Sequence, residues 1–191
     1  MAARFKPGNG FAPSLLPDRL SEKWPQKPSR IGVCFMSDLF GDWVPTDWIK
    51  RTIYATTLHP EHVHVFLTKN PKRLPEFNPW PANSYVGATT TDTWMFQKAT
   101  AYLAAVDAPV RFVSIEPLLS WEIGRTATWG YFKERGITWV IIGAQTNPLR
   151  LPKREWVTDI ELAMPDGVPI FEKASLATLF PERKLRQEYP K

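Results

Sequence analysis

Residues 110–119 read VRFVSIEPLL, an apolar run that ends at Glu116 and is followed at once by Pro117. The run is continuous in hydrophobicity rather than alternating, which is typical of a strand buried on both faces of a parallel sheet. Proline cannot donate to the strand ladder, so Pro117 ends the strand and fixes the direction in which the chain leaves it. The stretch therefore predicts a buried strand with a rigidly held carboxylate at its carboxyl end.

The same pattern recurs along the chain on both sides of this stretch. Five more short apolar runs span residues 31–36, 63–67, 84–88, 138–142 and 168–171. Longer amphipathic segments between them predict helices over residues 45–58, 91–106, 126–135 and 153–164. This alternation predicts an α/β fold, a parallel (β/α) partial barrel of about six strands that is similar to part of a TIM barrel. An open doubly wound sheet is the alternative. In a partial barrel the first and last strands curve toward each other, whereas in an open sheet they do not.

Composition divides the chain into three parts. Residues 1–29 are rich in proline, which predicts an extended arm with at most a short helix near residues 16–23. Residues 30–180 form the α/β domain. Residues 181–191 form a basic tail, for which we expect a solvated conformation.

Charge and hydropathy limit the possible partners and compartment. The longest apolar stretches are about six residues, too short to span a membrane. The first residues, MAARFKP, lack the apolar core of a signal peptide, so we expect a cytoplasmic protein without a membrane partner. The net charge of +5 permits an anionic ligand or a nucleic acid without requiring one.

Polar residues follow the predicted strands, at the sheet edge where parallel α/β folds bind ligands. If the strands surround one axis, these residues face a common pocket suited to a polar, partly anionic ligand. The predicted ligand-binding residues are Asp38, Thr68, Lys69, Asn70, Thr89, Glu116, Gln145 and Lys173. The alternative for each residue is a structural role as a helix cap, a loop hydrogen bonder or an ion-pair partner. Trp43 and Trp80 lie in loops near strand ends and could stack on a base or ring.

Cysteine and histidine usage points away from a metal site. The single cysteine, Cys34, excludes an internal disulfide and a site built only of thiolates. It lies inside the first apolar run, so we interpret it as a buried core thiol. His59, His62 and His64 are close in sequence, but no cysteine or carboxylate cluster with ligand spacing supports them beyond Glu61. We predict no metal site and assign them to the turn before the second strand.

Five stretches match a known family in order. They are CFMSDLF at 34–40, LTKNPKRL at 67–74, YVGAT at 85–89, RFVSIEPLL at 111–119 and WVIIG at 139–143. With these the chain resembles a phage-associated family of unknown function, named after two phage gene products and related to radical S-adenosylmethionine proteins. The resemblance implies a radical-S-adenosylmethionine-like partial barrel with a ligand site at the carboxyl ends of its strands. In the family, that site is expected to hold S-adenosylmethionine beside a [4Fe–4S] cluster.

The chain departs from this family in two places. Members usually begin with a segment bearing three closely spaced cysteines, and a [4Fe–4S] cluster needs such thiolates, whereas this chain offers only Cys34. We therefore expect no cluster on this chain alone, and S-adenosylmethionine with a [4Fe–4S] cluster only if a cysteine-bearing partner polypeptide completes the site. The second departure is GAQT at 143–146, where the family pattern has a second glycine and often Glu followed by Ser, which puts the role of Gln145 in question.

Two functions follow as expectations. The first is a radical-S-adenosylmethionine-like protein, a split or degenerate family member, acting on a nucleotide or a nucleic-acid-linked substrate. In this hypothesis Asp38, Lys69, Glu116 and Gln145 position cofactor and substrate. The second is a non-catalytic module that binds nucleic acid or a phosphorylated ligand, with an affinity that falls steeply with salt. An unpaired strand edge near Ile31 would also invite a partner or a second copy of the chain.

Overall fold

The computed structural model describes residues 14–20 and 23–191. Its strands, in chain order, are β1 Arg30–Val33, β2 Val63–Thr68, β3 Ser84–Thr90, β4 Val110–Ile115, β5 Trp139–Ile142, β6 Gln145–Thr146, β7 Leu149–Arg150 and β8 Ile170–Glu172. Six of them form one parallel sheet in the order β1-β2-β3-β4-β5-β8, and β6 and β7 form a short antiparallel hairpin. Because the six strands follow chain order without reversal, the curled sheet is a half-barrel. The predicted partial barrel is confirmed, and the doubly wound alternative is excluded.

Four helices flank the sheet: α1 Thr46–Thr57, α2 Thr93–Leu103, α3 Arg125–Glu134 and α4 Arg154–Leu162. The Asp92 side chain caps α2 by accepting a hydrogen bond from the backbone N–H of Met95 at 2.8 Å. After α3, Gly136 takes a φ of +61°, the left-handed conformation that commonly ends helices. Short 3₁₀ segments cover Pro17–Leu20, Pro71–Phe77 and Ala174–Leu176. Among the described residues, no helix combines the length and hydrophobicity needed to cross a bilayer.

Alternate residues of the strands build two different apolar faces. The convex face carries side chains such as Phe66 and Val113, which are fully buried in the main core. The concave face carries a separate cluster that includes Val65, Phe112 and Trp139. Burial on both faces explains why the sequence shows continuous hydrophobic runs rather than alternation.

The first strand is shorter than predicted, because Cys34 has a φ of +57°. A left-handed residue cannot continue a strand, and the carbonyl of Cys34 accepts a hydrogen bond from Ser37 N–H at 2.9 Å, which forms a turn. β1 therefore ends at Val33, and Cys34 is exposed. The interpretation of Cys34 as a buried core thiol is wrong.

The basic C-terminal segment differs from the solvated tail that we expected. Arg183 donates hydrogen bonds of 2.6 and 2.7 Å to the two carboxylate oxygens of buried Glu172 and one of 2.8 Å to Glu161. Beyond it, Glu172 N–H donates to the Arg186 carbonyl and Glu188 N–H donates to the Ile170 carbonyl. The segment therefore covers the outer edge of β8.

Candidate functional site

The concave face of the half-barrel encloses a cavity of 960 Å³. Inward-facing residues of neighbouring strands form its walls, which are mainly apolar and aromatic. These wall residues include Val65, Leu67, Phe112, Trp139, Ile141 and Phe171. A concave, largely apolar cavity with few polar groups is the usual form of a small-molecule site.

Glu116 and Lys173 form the polar group at the carboxyl end of this cavity, with Lys173 Nζ 3.0 Å from Glu116 Oε2. Their side chains are 26% and 44% exposed, so solvent and a ligand can both reach the pair. Ser114, two residues before Glu116, also lines the cavity. Gly143 makes room for the carboxylate, because a Cβ there would lie 2.9 Å from Glu116 Oε1.

The C-terminal segment supplies a wall at the opposite, amino end of the strands. The Arg30 guanidinium carbon lies 3.6 Å from the centre of the Tyr189 ring, a cation–π contact. Tyr189 in turn packs on Trp139 and Phe171, with ring centres 5.8 and 5.1 Å apart. The cavity thus combines an aromatic wall with a charged pair at the end where parallel barrels bind ligands.

Asp38, Thr68 and Asn70 form a hydrogen-bonded network between the loops after β1 and β2. Asp38 accepts from Thr68 Oγ1 at 2.6 Å, from Lys69 N–H at 2.9 Å and from Phe40 N–H at 3.1 Å. Thr68 Oγ1 also accepts from Asn70 N–H, and Asn70 Nδ2 donates to the carbonyl of Phe40 at 2.8 Å. These contacts hold the two loops in position, so Asp38, Thr68 and Asn70 each have a structural role.

Lys69, Asn70 and Thr89 line a second, smaller cavity of 240 Å³. No residue lines both this cavity and the concave one. Gln145 lies apart from them on the β6–β7 hairpin, where its side-chain amide donates to the carbonyl of Pro148 at 3.1 Å. The structure therefore distributes the eight sequence-predicted residues over separate places, with Glu116 and Lys173 together in the larger cavity. Their role in ligand binding stays a prediction.

Sequence reasoning missed the cavity walls. In a continuous apolar run nothing in the sequence marks which residues face the concave side, so Phe112, Trp139 and Ile141 could not be separated from the core. Side chains two positions apart on a strand point to the same face of the sheet. Counting back from Glu116 by two and by four therefore leads to Ser114 and Phe112, which both line the cavity.

The two loop tryptophans have different environments. Trp43 is 65% exposed, whereas Trp80 is 6% exposed and packs against Phe66 with ring centres 5.0 Å apart. Trp80 Nε1 also donates to the Leu74 carbonyl at 3.3 Å. The prediction that a ligand could stack on Trp80 is therefore wrong. Trp94, in the first turn of α2, is 66% exposed.

The histidines lie near the amino end of β2 and form a cluster with Glu61. His59 Nδ1 and His62 Nε2 lie 3.3 and 3.4 Å from the same Glu61 oxygen, distances that two ligands of one tetrahedral metal ion could adopt. However, Ser29 N–H donates to His62 Nδ1, which leaves the proton of the neutral ring on Nε2, facing Glu61. This tautomer opposes metal binding at His62.

Buried His64 completes the cluster, and its surroundings keep it neutral. Desolvation, reinforced by His62 and His59, lowers the pKa of His64 to about 4. Trp24 stacks on His59 with ring centres 4.3 Å apart. The cluster therefore ties the arm before β1 to the amino end of the sheet.

The thiolate content does not fit a [4Fe–4S] cluster on this chain. Cys34 is its single cysteine, and a cluster of this type is held by several thiolates. Desolvation around the sulfur also raises the pKa of the Cys34 thiol, which disfavours the thiolate form.

A family model described as a protein of unknown function, DUF5131, matches residues 9–175. This chain belongs to the DUF5131 family. The matched residues of this DUF5131 protein include all six strands of the half-barrel and extend past Lys173, so they cover the charged pair of the concave cavity. No curated protein and no solved structure matches the chain. The family description names neither phages nor radical S-adenosylmethionine proteins, so that relationship stays a prediction.

Proposed function

We propose that the concave cavity of this DUF5131 protein binds a nucleoside or nucleotide ligand. The observation that carries the proposal is the placement of the Glu116–Lys173 pair at one end of a cavity whose accessible aromatic wall is formed by Phe171 and Tyr189. Its volume of 960 Å³ lies near the upper end of the range, about 300–1,000 Å³, that is usual for small-molecule sites. A flat base can pack on the aromatic wall while its charged substituents reach the pair.

The two charges select the substituents of the ligand. Lys173 can donate to a phosphate or a carboxylate, and Glu116 can accept from an ammonium group or from ribose hydroxyls. S-adenosylmethionine offers a purine, ribose hydroxyls, an ammonium group and a carboxylate, so it complements both members of the pair. The proposed function is therefore ligand binding.

A radical-S-adenosylmethionine-like activity on a nucleotide substrate would need thiolates from a cysteine-bearing partner, because this chain has one cysteine. Reconstitution of the chain alone with iron and sulfide should give no absorption typical of a [4Fe–4S] cluster. Stoichiometric cluster formation on the isolated chain would contradict this expectation.

Isothermal titration calorimetry with adenosine, adenosine monophosphate and S-adenosylmethionine tests the binding proposal. Lys173→Met should weaken binding of the monophosphate about tenfold or more, with a smaller effect on adenosine, because only the phosphate needs the ammonium group. Glu116→Gln should weaken binding of S-adenosylmethionine more than binding of the monophosphate. Lys50→Met, at an exposed position on α1, is the matched charge control. Absence of binding for all three ligands, or equal losses in Lys50→Met, would contradict the proposal.

A further inference from the structure

A basic–aromatic surface lies beside the 3₁₀ segment Pro71–Phe77 and the first turns of α2, apart from the concave cavity. We define it by the side chains around the 240 Å³ cavity that carry charge or an aromatic ring: Lys69, Lys72, Trp94, Lys98 and Tyr102. Asn70 and Thr89 add polar groups to the same cavity. None of these residues lines the concave cavity, so this surface is independent of the proposed nucleoside site.

Trp94 is the exposed aromatic group of this surface. Its neighbours Phe96 and Leu103 on α2 are fully buried, whereas Trp94 is 66% exposed. Lys98 Nζ lies 4.7 Å from the centre of the indole ring, which brings a positive charge to one side of the aromatic system. An exposed indole beside a cation is the combination on which an unpaired base stacks while its phosphate is neutralised.

The charge balance of the surface is positive. Lys69, Lys72 and Lys98 are all exposed, and only Lys72 has an ion-pair partner among the described residues, Asp42 at 3.1 Å. The Asp92 carboxylate, which caps α2 by accepting from Met95 N–H, keeps its negative charge, so the excess of positive charge comes from the three lysines. Lys69 is also held in place, because its backbone N–H donates to Asp38. The surface thus offers ammonium groups from fixed backbone positions to an anionic chain.

The same combination of groups recurs on α3. Arg135, which follows α3, donates to the Gln97 carbonyl of α2 at 2.9 Å, so the two helices lie side by side. On α3, Lys133 Nζ lies 4.5 Å from the ring centre of Trp129, which is 40% exposed. Each helix therefore presents an exposed tryptophan with a lysine four residues later.

We propose that this surface binds single-stranded nucleic acid. Phosphates lie against Lys69, Lys72 and Lys98, and a base stacks on Trp94. Single strands are favoured over duplexes because a base must be unpaired to expose its face to the indole. Little sequence preference is expected, since every base has such a face.

Fluorescence anisotropy with labelled single-stranded oligonucleotides of about 12 nucleotides, one oligo-dT and one oligo-rU, tests this proposal on the full chain. Trp94→Ala should weaken binding about tenfold or more, and Trp94→Phe should retain most of the affinity. The control is Tyr54→Ala on α1, because Tyr54 is 65% exposed but lies outside both the surface and the concave cavity. With three phosphate contacts, log K should fall against log salt with a slope of about −2, and Lys98→Met should reduce that slope by about 0.7.

Three outcomes would overturn the proposal. They are no anisotropy change at about 50 mM salt, equal losses in Tyr54→Ala and Trp94→Ala, and duplex binding that is as tight as single-strand binding. Competition with excess adenosine separates this proposal from the nucleoside site. Adenosine should not displace the oligonucleotide, because the basic–aromatic surface shares no residue with the concave cavity, and full displacement would contradict the proposal.

Discussion

At the scale of single residues, neighbours rather than residue type decide what a strand-end carboxylate can do. Asp38 and Glu116 both follow predicted strands, and the sequence places both at the carboxyl edge of the sheet. Asp38 accepts three hydrogen bonds from two loops, whereas Glu116 contacts Lys173 at the mouth of a cavity. The sequence could predict their position but not this difference, because loop paths set the hydrogen-bond partners.

Gly143→Ala tests how Glu116 is placed. The new Cβ would lie 2.9–3.0 Å from the Glu116 carboxylate group and Cγ, so the flexible side chain must move away from its position beside Lys173. We expect a change of less than about 1 kcal/mol in the free energy of unfolding and about a tenfold loss of nucleoside affinity. Urea unfolding and calorimetric titration measure the two quantities.

Gly87→Ala is the contrasting variant. A Cβ at Gly87 would lie 2.5 Å from the ring of fully buried Phe112, so the ring and its packed neighbours must shift to make room. We expect the free energy of unfolding to fall by about 2 kcal/mol. If Gly143→Ala proved as destabilising as Gly87→Ala, the mobility assigned to Glu116 would be wrong.

At the scale of elements, periodicity predicted the six sheet strands and four helices to within a few residues. It failed where a single backbone conformation or a distant contact decides the outcome. Cys34 ends β1 through its left-handed φ, and the hairpin after β5 is too short to show a pattern. The tail from residue 181 has no apolar period, and it is ordered by its ion pairs with Glu172 and Glu161.

Arg183→Met tests the attachment of the tail. Glu172 is fully buried and its carboxylate depends on the Arg183 guanidinium, so loss of the cation leaves a poorly compensated buried charge. We expect a loss of about 3 kcal/mol in the free energy of unfolding at neutral pH. Arg154→Met is the matched control, because Arg154 pairs with Glu182 where both side chains are about half exposed. It should cost less than about 1 kcal/mol, and equal losses in the two variants would contradict the assignment.

The same group of charges predicts a pH dependence. Desolvation, and then the charge of Glu172, raises the pKa of Glu161 to about 7. Because the folded chain keeps this proton after the unfolded chain has lost it, stability should fall as pH rises from about 4.5 to about 7. Burial alone would raise the pKa of Glu172, but hydrogen bonds from Arg183 and from Arg186 N–H lower it below its usual value. The stability that the ionised Glu172 contributes is therefore lost only as the pH falls through this lowered pKa.

Urea unfolding of the wild type and of Glu161→Gln at several pH values separates these effects. The wild type should lose about 2 kcal/mol between pH 5 and 7 relative to Glu161→Gln, which lacks the titrating group. Parallel pH profiles for the two proteins would show that Glu161 does not titrate in this range.

At the scale of the whole molecule, the described residues leave one edge of the half-barrel sheet, at β1, unpaired. The outer edge of β8 is paired with residues 186–188, whereas β1 pairs only with β2 among the described strands. An open strand edge beside an aromatic concave face suits a partner or a second copy, and either occupant stays a prediction. Continuous apolar runs predicted a parallel sheet buried on two faces, but they could not show that none of the described helices covers the concave face.

A crystal structure of the protein with bound adenosine monophosphate or S-adenosylmethionine would show whether the concave cavity binds a nucleoside or nucleotide ligand. We expect density for the purine against Phe171 and Tyr189, with the charged end of the ligand within hydrogen-bond distance of Glu116 or Lys173. Density for the ligand outside the concave cavity, or a cavity closed by the protein's own side chains at saturating ligand, would contradict it.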